Sequence, residues 1–349
     1  MMTKKANPKI IVVGAGIVGA MVTHTLARAG LNPHCVDQDE PGTGVTARSS
    51  GWINWITVDP QTDRHRYQTC QQAFGHYERL DTVFGGTLIV RRQGALRWFS
   101  EQQKTVSMIA AHQAENSQIE PVHGVRLRKL APLLADPPPL AAYAKDDFLL
   151  NARAVTARLL DDAKAHGATI QPNTLALAVE TKSGRVAGLS VDNTRQDTDI
   201  VIVAAGTMSN ALLAPFGLDE PVGTSPAALI RFSVSDIKQG PILAGPRMEV
   251  HLHPPNTITM ARSVRDPSQP AVDLGHEAHR RLAKAMPALR NLRLTGSSIG
   301  HRPVPKQGTP LVGPVDGVDG LFTAIAHPGV ILAPHMAEQI MAHIQQRLS

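Results

Sequence analysis

The 349-residue chain is poor in aromatic side chains, with three Trp, three Tyr and seven Phe. That scarcity leaves little surface for stacking bases. Basic residues form no long run, so nucleic acid is not an expected partner. Only two cysteines are present, Cys35 and Cys70, which argues against a disulfide framework and for a reducing, cytoplasmic setting. No apolar run approaches the roughly 18 residues that a membrane-spanning helix needs. The residues before Ile10 hold no apolar core of about 7–15 residues, so no secretory leader is expected either. His251 and His253 alternate on one strand face without a cysteine or carboxylate at ligand spacing, and no metal site is expected. The charge imbalance is modest, 35 Lys and Arg against 29 Asp and Glu, and fits an electropositive site for a small anion or simple solubility.

What the chain does have is glycine at particular places. Residues 10–20 read Ile-Ile-Val-Val-Gly-Ala-Gly-Ile-Val-Gly-Ala: a buried strand, a glycine-rich turn, and a helix with apolar residues at Val18, Val22 and Leu26. Gly14 permits the tight turn, Gly16 lets the backbone approach a pyrophosphate, and Gly19 lets the helix pack on the strand. The helix start, at Ile17 and Val18, turns its N–H groups toward an anion. A second apolar stretch, His34-Cys35-Val36, ends at Asp37 and Gln38, where a carboxylate is placed for a ribose hydroxyl. These features predict a dinucleotide site.

Further along, helical periodicity covers 61–84, a short strand Thr87–Val90, a helix 95–113 and a helix 152–166. A hairpin over Ala176–Val191 turns on Ser183-Gly184. The stretch Ile200–Gly206 is a buried strand ending in Ala204, Ala205 and Gly206, small enough for a ligand to pass. From 222 to 298 the pattern changes to short strands (Ala227–Ser235, Met248–His253, Thr257–Ala261) and one helix at 272–286. Gly300–Pro314 is rich in glycine and proline. A strand, Leu321–Ile325, then leads through His327 to a final helix. Two discontinuous domains are expected, with a small-molecule pocket at their interface: 1–74, 149–221 and 299–349 in one, 75–148 and 222–298 in the other.

These landmarks, in this order, resemble the FAD-dependent amine oxidoreductases of the D-amino-acid oxidase superfamily, in the glycine oxidase and D-amino-acid dehydrogenase branch. The resemblance spans nearly the whole chain and is strongest at 9–55, 198–215 and 297–342. Thr46–Asn54 and Gly329–Pro334 are its more specific segments. It implies an α/β fold: a Rossmann-type, glutathione-reductase-like FAD-binding domain with a second, mainly antiparallel-sheet substrate lobe. It also implies cofactor contacts at Gly14, Gly16, Ile17, Val18, Gly19, Asp37, Gln38, Arg48, Ser49, Ser50, Gly51, Ala176, Ala205, Gly206, Arg302, Gly329, Val330, Ile331 and Leu332. Asp37 stands where the family more often has glutamate. Arg302 matches the arginine that pairs with the substrate carboxylate, and a guanidinium suits that task because it offers two parallel charge-assisted hydrogen bonds. His327 is a further candidate near the reacting centre, as is His301, with structural roles for both as the alternative.

No cysteine stands near Gly300 and no histidine at Arg48, the family's two tether positions, so the FAD is expected to be noncovalent. The implied reaction is oxidation of the Cα–N bond of a D-amino acid, glycine or an N-substituted amino acid by hydride transfer to flavin. The resulting imine hydrolyses to an oxo acid. Alternatives on the same fold are a hydroxy-acid or polyol dehydrogenase, a flavin-binding subunit of a hetero-oligomeric amine dehydrogenase, and a tRNA-modifying flavoenzyme. The sequence leaves open whether the chain is a monomer, homo-oligomer or hetero-oligomer, and whether oxygen or a quinone reoxidises the flavin. Trp52 and Trp55 would wall the pocket or fill the core.

Overall fold

The computed structural model describes residues 7–349 apart from Asn193, Arg247, Pro254, Arg290 and the side chain of Arg91. The chain divides into two compact units. One comprises 1–47, 152–225 and 301–349, and the other 48–151 and 226–300. The sequence-based boundary lay at 74/75; contacts place residues 48–74 with the second unit.

The first unit is built on a six-stranded sheet in the order Leu311–Pro314, Leu321–Ile325, Ile200–Val203, Ile10–Val13, His34–Val36, Thr169–Gln171. All neighbouring pairs are parallel except the first, which is an antiparallel edge. Ile10–Val13 and Ile200–Val203 are buried along their whole length, which is why they read as unbroken apolar runs. Helix Ile17–Arg28 packs against helices Ala152–Ala165 and Gly329–Leu348. With neighbours on several sides it buries most of its residues, and its apolar residues are accordingly not confined to one stripe. The expected hairpin is present as Ala176–Lys182 and Arg185–Val191, with Ser183 and Gly184 both at positive φ, 53° and 74°, as a two-residue hairpin turn requires. A third strand, Thr194–Asp197, extends it.

The second unit carries most of an eight-stranded sheet. The pairs whose register is described are antiparallel except for Ile242–Gly245 beside Ala95–Arg97. Strands Val222–Ser233 and Arg293–Pro305 each cross from one unit to the other along the chain. One face of the sheet, with Leu96, Leu243, Val250, Ile258, Met260, Ile230 and Phe232, is apolar and packs with Leu274, Ala278 and Leu282 of helix Ala271–Ala285. A helix was expected over 95–113, but helix Gln102–Ala114 starts later and Ala95–Arg97 is a strand. The reason is tertiary. Gly94, at φ 69°, accepts from the Ile242 amide and donates to the Asp147 carbonyl, so the chain is already committed to sheet pairing when it reaches Ala95.

Candidate functional site

In the first unit the parallel strands end along one edge of the sheet, and residues expected to touch a cofactor follow each end. Gly14 follows Ile10–Val13 and Asp37 follows His34–Val36. Ala205 and Gly206 follow Ile200–Val203, and Gly329–Leu332 lie just beyond Leu321–Ile325. The carboxyl edge of such a sheet is where ligands bind in open α/β folds.

The first turn cannot tolerate side chains. Gly14 has φ 108°, and a Cβ there would stand 2.5 Å from the Ala204 carbonyl oxygen; on Gly19 it would stand 1.7 Å from the Gly14 oxygen. Gly16 is constrained less, since its Cβ would meet only Thr46 Oγ1, at 3.3 Å. The Ile17 N–H donates to that same Thr46 hydroxyl at 3.0 Å, a role for Thr46 that the sequence did not suggest. Val18 and Gly19 follow in the first turn, where amides lack intrahelical acceptors. The start of helix Gly329–Leu348 lies beside them, with Val18 Cγ2 3.5 Å from a Cβ built on Gly329. Val330 is half-buried, and Ile331 and Leu332 are buried behind it. Two helix N-termini, each with partial positive charge, therefore converge.

The Asp37 carboxylate accepts from the Ala15 amide and, at 2.9 Å, from the Asp39 amide. Burial pushes its carboxyl above the usual range, and those two donors partly offset the shift. Gln38 is exposed. The Thr174 amide donates to the Asp37 carbonyl at 2.8 Å, which brings Ala176, two residues on, to the same strand end. A turn closed to side chains, two converging helix starts and a carboxylate on the next strand fit an anionic dinucleotide.

Arg302 lies on strand Arg293–Pro305 and is half-buried. Its Nε donates to the Ser225 carbonyl at 3.0 Å and its Nη2 to the Ser225 hydroxyl at 2.7 Å. Ser225 thus fixes the guanidinium plane through its Nε–Nη2 edge. The next residue, Pro303, sits 4.0 Å from a Cβ built on Gly206, so this strand runs past the Ala205–Gly206 strand end. His301 is exposed, and strand alternation turns it to the face opposite Arg302. His327 is half-buried and stands two residues before Gly329.

The segment Arg48–Gly51 belongs to the second unit. Gly51 is forced by its surroundings, with φ 74° and a Cβ position 1.9 Å from the Leu150 carbonyl oxygen. Ser49 Oγ accepts from the Gly51 amide at 3.2 Å. Arg48 closes a short 3-10 turn, Val45–Arg48. Trp52 is a core residue, buried, with its Nε1–H donating to Asp147 at 2.8 Å. Trp55 packs edge-on against Phe74 and donates to Ser117.

Glu249 corrects the sequence reading of this lobe. It stands two residues before His251 on the same strand face, and its Oε1 lies 2.9 Å from His251 Nε2, so the histidine does have a carboxylate neighbour. His253 instead meets Thr259 Oγ1 at 3.0 Å. Among the described residues no group of three His, Cys, Asp or Glu side chains is arranged for a metal ion. Of the lobe arginines that offer themselves as alternative carboxylate anchors, Arg262 is paired with Glu277 at 2.8 Å. Arg231 is exposed, and Arg247 lies outside the described residues. Cys35 and Cys70 are both buried free thiols. No helix among the described residues is long and apolar enough to cross a membrane.

The class follows from comparison with known proteins. The model of the FAD dependent oxidoreductase family matches residues 9–343, and the chain belongs to that family. It is 27% identical over 350 residues to the uncharacterized oxidoreductase YurR of Bacillus subtilis, covering 95% of this chain and 93% of that protein. It is 25% identical over 352 residues to glycine oxidase of Pseudomonas aeruginosa, covering 94% and 92%. Its fold superposes on L-amino acid deaminase from Proteus vulgaris with a TM-score of 0.87 at 18% identity, covering 99% of this chain and 92% of that one.

Proposed function

We propose that the chain oxidises the Cα–N bond of an amino acid or N-substituted amino acid, using noncovalently bound FAD. The observation that carries this reading is Arg302, braced by Ser225 within the same unit as the dinucleotide cradle. The likeness to glycine oxidase favours C–N over C–O oxidation. When bound, FAD supplies the electron sink for the hydride leaving Cα.

The chain's own residues hold and orient. Gly14, Gly16 and Gly19 keep the turn open for the pyrophosphate, with the first-turn amides of Ile17 and Val18 facing it, and Asp37 accepts from the adenosine ribose. Ala176, Ala205 and Gly206 border the dinucleotide, and Arg48, Ser49, Ser50 and Gly51 lead toward the reacting end. The amides at Gly329–Leu332 oppose negative charge on the cofactor. Arg302 fixes the substrate carboxylate, which sets the direction of the Cα–H bond. His327 stands by as a polar neighbour of that region. Neither Arg48 nor Gly300 can serve as a covalent tether.

Anaerobic mixing with glycine, sarcosine, D-alanine and a matched panel of hydroxy acids tests this directly. Flavin bleaching by amino acids alone is expected. Bleaching by hydroxy acids alone overturns the reading, and bleaching by neither moves the chain to the partner-dependent subunit class. Arg302→Ala should cost about 2–5 kcal/mol in flavin reduction, with FAD content unchanged, and Arg302→Lys should recover only part of that.

A further inference from the structure

Strand Val222–Ser233 begins in the first unit and strand Arg293–Pro305 ends in it, and the two are neighbours in their sheet. The Lys306 amide donates to the Pro221 carbonyl at 2.9 Å. A Cβ built on Gly223 would stand 3.6 Å from the Val304 carbonyl oxygen. Continuing by twos along the same antiparallel register brings Arg302 opposite Ser225, and directly opposed side chains share one face of a strand pair. The contact between these two residues is therefore set by register and not by chance approach of a long side chain.

Both members are backed by stiff backbone. Ser225 precedes Pro226 and Arg302 precedes Pro303, and a following proline confines each to extended conformation. The start of the Ser225 strand is clamped as well. The Asn210 side chain donates to the Val222 carbonyl at 2.8 Å and accepts from the Val222 amide at 3.1 Å. Asn210 stands four residues beyond Gly206, and Pro303 lies 4.0 Å from a Cβ built on Gly206. Ser225 and Arg302 are thus both tied to the strand end that borders the dinucleotide cradle.

An arginine side chain loses much rotamer freedom when it is held in one geometry. Ser225 removes that freedom in advance, because its carbonyl takes the Nε–H at 3.0 Å and its hydroxyl takes an Nη2–H at 2.7 Å. Two contacts from one residue fix the tilt of the guanidinium plane as well as its position. A mobile guanidinium also attracts a carboxylate, but in no single direction. Direction is what aims the bond that breaks.

We propose that Ser225 is a positioning residue for the oxidation, its hydroxyl holding Arg302 in the orientation that receives the substrate carboxylate. This rests on the amino-acid reading above, through the role of Arg302 as anchor. Ser225 acts only through Arg302, and it neither gains nor loses a proton.

The test uses the FAD-loaded protein with acetate and acetamide, which match in shape and differ in charge. Ser225→Ala deletes the hydroxyl and keeps the carbonyl, whereas Ser225→Thr keeps both. Calorimetry should show Ser225→Ala binding acetate about three- to tenfold more weakly than wild type, the scale of one lost hydrogen bond to a charged group. Acetamide affinity, FAD content and melting temperature should stay unchanged, and Ser225→Thr should recover most of the acetate affinity. Unchanged acetate affinity in Ser225→Ala overturns the proposal. So does an equal loss for acetate and acetamide, or a loss of FAD, since either makes Ser225 a structural residue. Arg302→Ala separates this from failure of the anchor. If Arg302→Ala loses acetate affinity and Ser225→Ala does not, the anchor stands and the brace falls. If Arg302→Ala changes nothing, or the wild type binds acetate no better than acetamide, the anchor itself fails and the proposal falls with it.

Discussion

The two units encode their candidate chemistry in different ways. In the first, the residues that matter sit where buried parallel strands end, so each group occupies a few consecutive positions: Gly14 to Gly19, Asp37, Ala205 to Gly206, Gly329 to Leu332. In the second, Arg97 and Glu249 come together only because a sheet aligns strands far apart in the chain, and Ser50 reaches the same carboxylate from a loop. Steric necessity dominates the first arrangement and charge placement the second. The contrast predicts that small changes of volume damage the first unit most, whereas changes of charge without change of volume are felt most clearly in the second.

The largest effect should come from Gly19→Ala. A single methyl there would overlap the Gly14 carbonyl oxygen, and neither backbone can yield without moving the helix off its strand. A loss of about 3 kcal/mol of stability is expected, together with loss of bound FAD. Thermal melting and flavin content after gel filtration would check it. A stable, yellow Gly19→Ala protein would show that the turn is looser than its geometry implies.

Asp37→Ala comes next. Its carboxylate orders the Ala15 and Asp39 amides and, in the proposed role, accepts from a ribose hydroxyl. A hydrogen bond to a charged acceptor contributes about 1.5–3 kcal/mol, so FAD affinity should fall tenfold or more. Asp37→Asn, which keeps one acceptor oxygen, should fall between. Equilibrium dialysis against FAD measures both, and unchanged affinity would remove Asp37 from the cofactor site.

Much of the first unit was legible because glycine, small residues and unbroken apolar runs are local consequences of a buried strand meeting a turn. Arg302 was visible through its motif, but its brace was not: Ser225 lies 77 positions away. Ala95–Arg97 was misread as helix because three small or long-chain residues carry little period of their own, and pairing with Ile242–Ala244 decides their state. Glu249 left a signal that went unused. Glu249, His251 and His253 alternate at the strand period, which places all three on one face. The further partners, Ser50 and Arg97, leave no trace in spacing at all.

The smallest effects are the most diagnostic, because two buried or paired carboxylates should respond to acid with opposite sign. Asp147, in the second unit, is buried and has Trp52 as donor. Burial raises its carboxyl well above the ordinary range. The folded chain therefore keeps a proton there that the unfolded chain releases, and Asp147 subtracts stability as pH rises above about 4. Asp147→Asn should be at least as stable as wild type at pH 7, with any advantage vanishing as pH falls below about 4. Asp319, in the first unit, is gripped by Arg347 at 2.8 and 3.2 Å and by Arg185 at 3.0 Å. Those hydrogen bonds, Arg347 foremost, hold its carboxyl below the ordinary range. Its contribution is present above about pH 4 and lost as pH falls through its lower folded value. The side chain is 36% exposed, so solvent screening keeps the Asp319→Asn penalty at about 1 kcal/mol or less. Urea titrations of both variants at pH 7 and at successively lower pH would show the two differences from wild type changing in opposite directions. Parallel behaviour would mean that one of the two environments has been assigned the wrong electrostatic character.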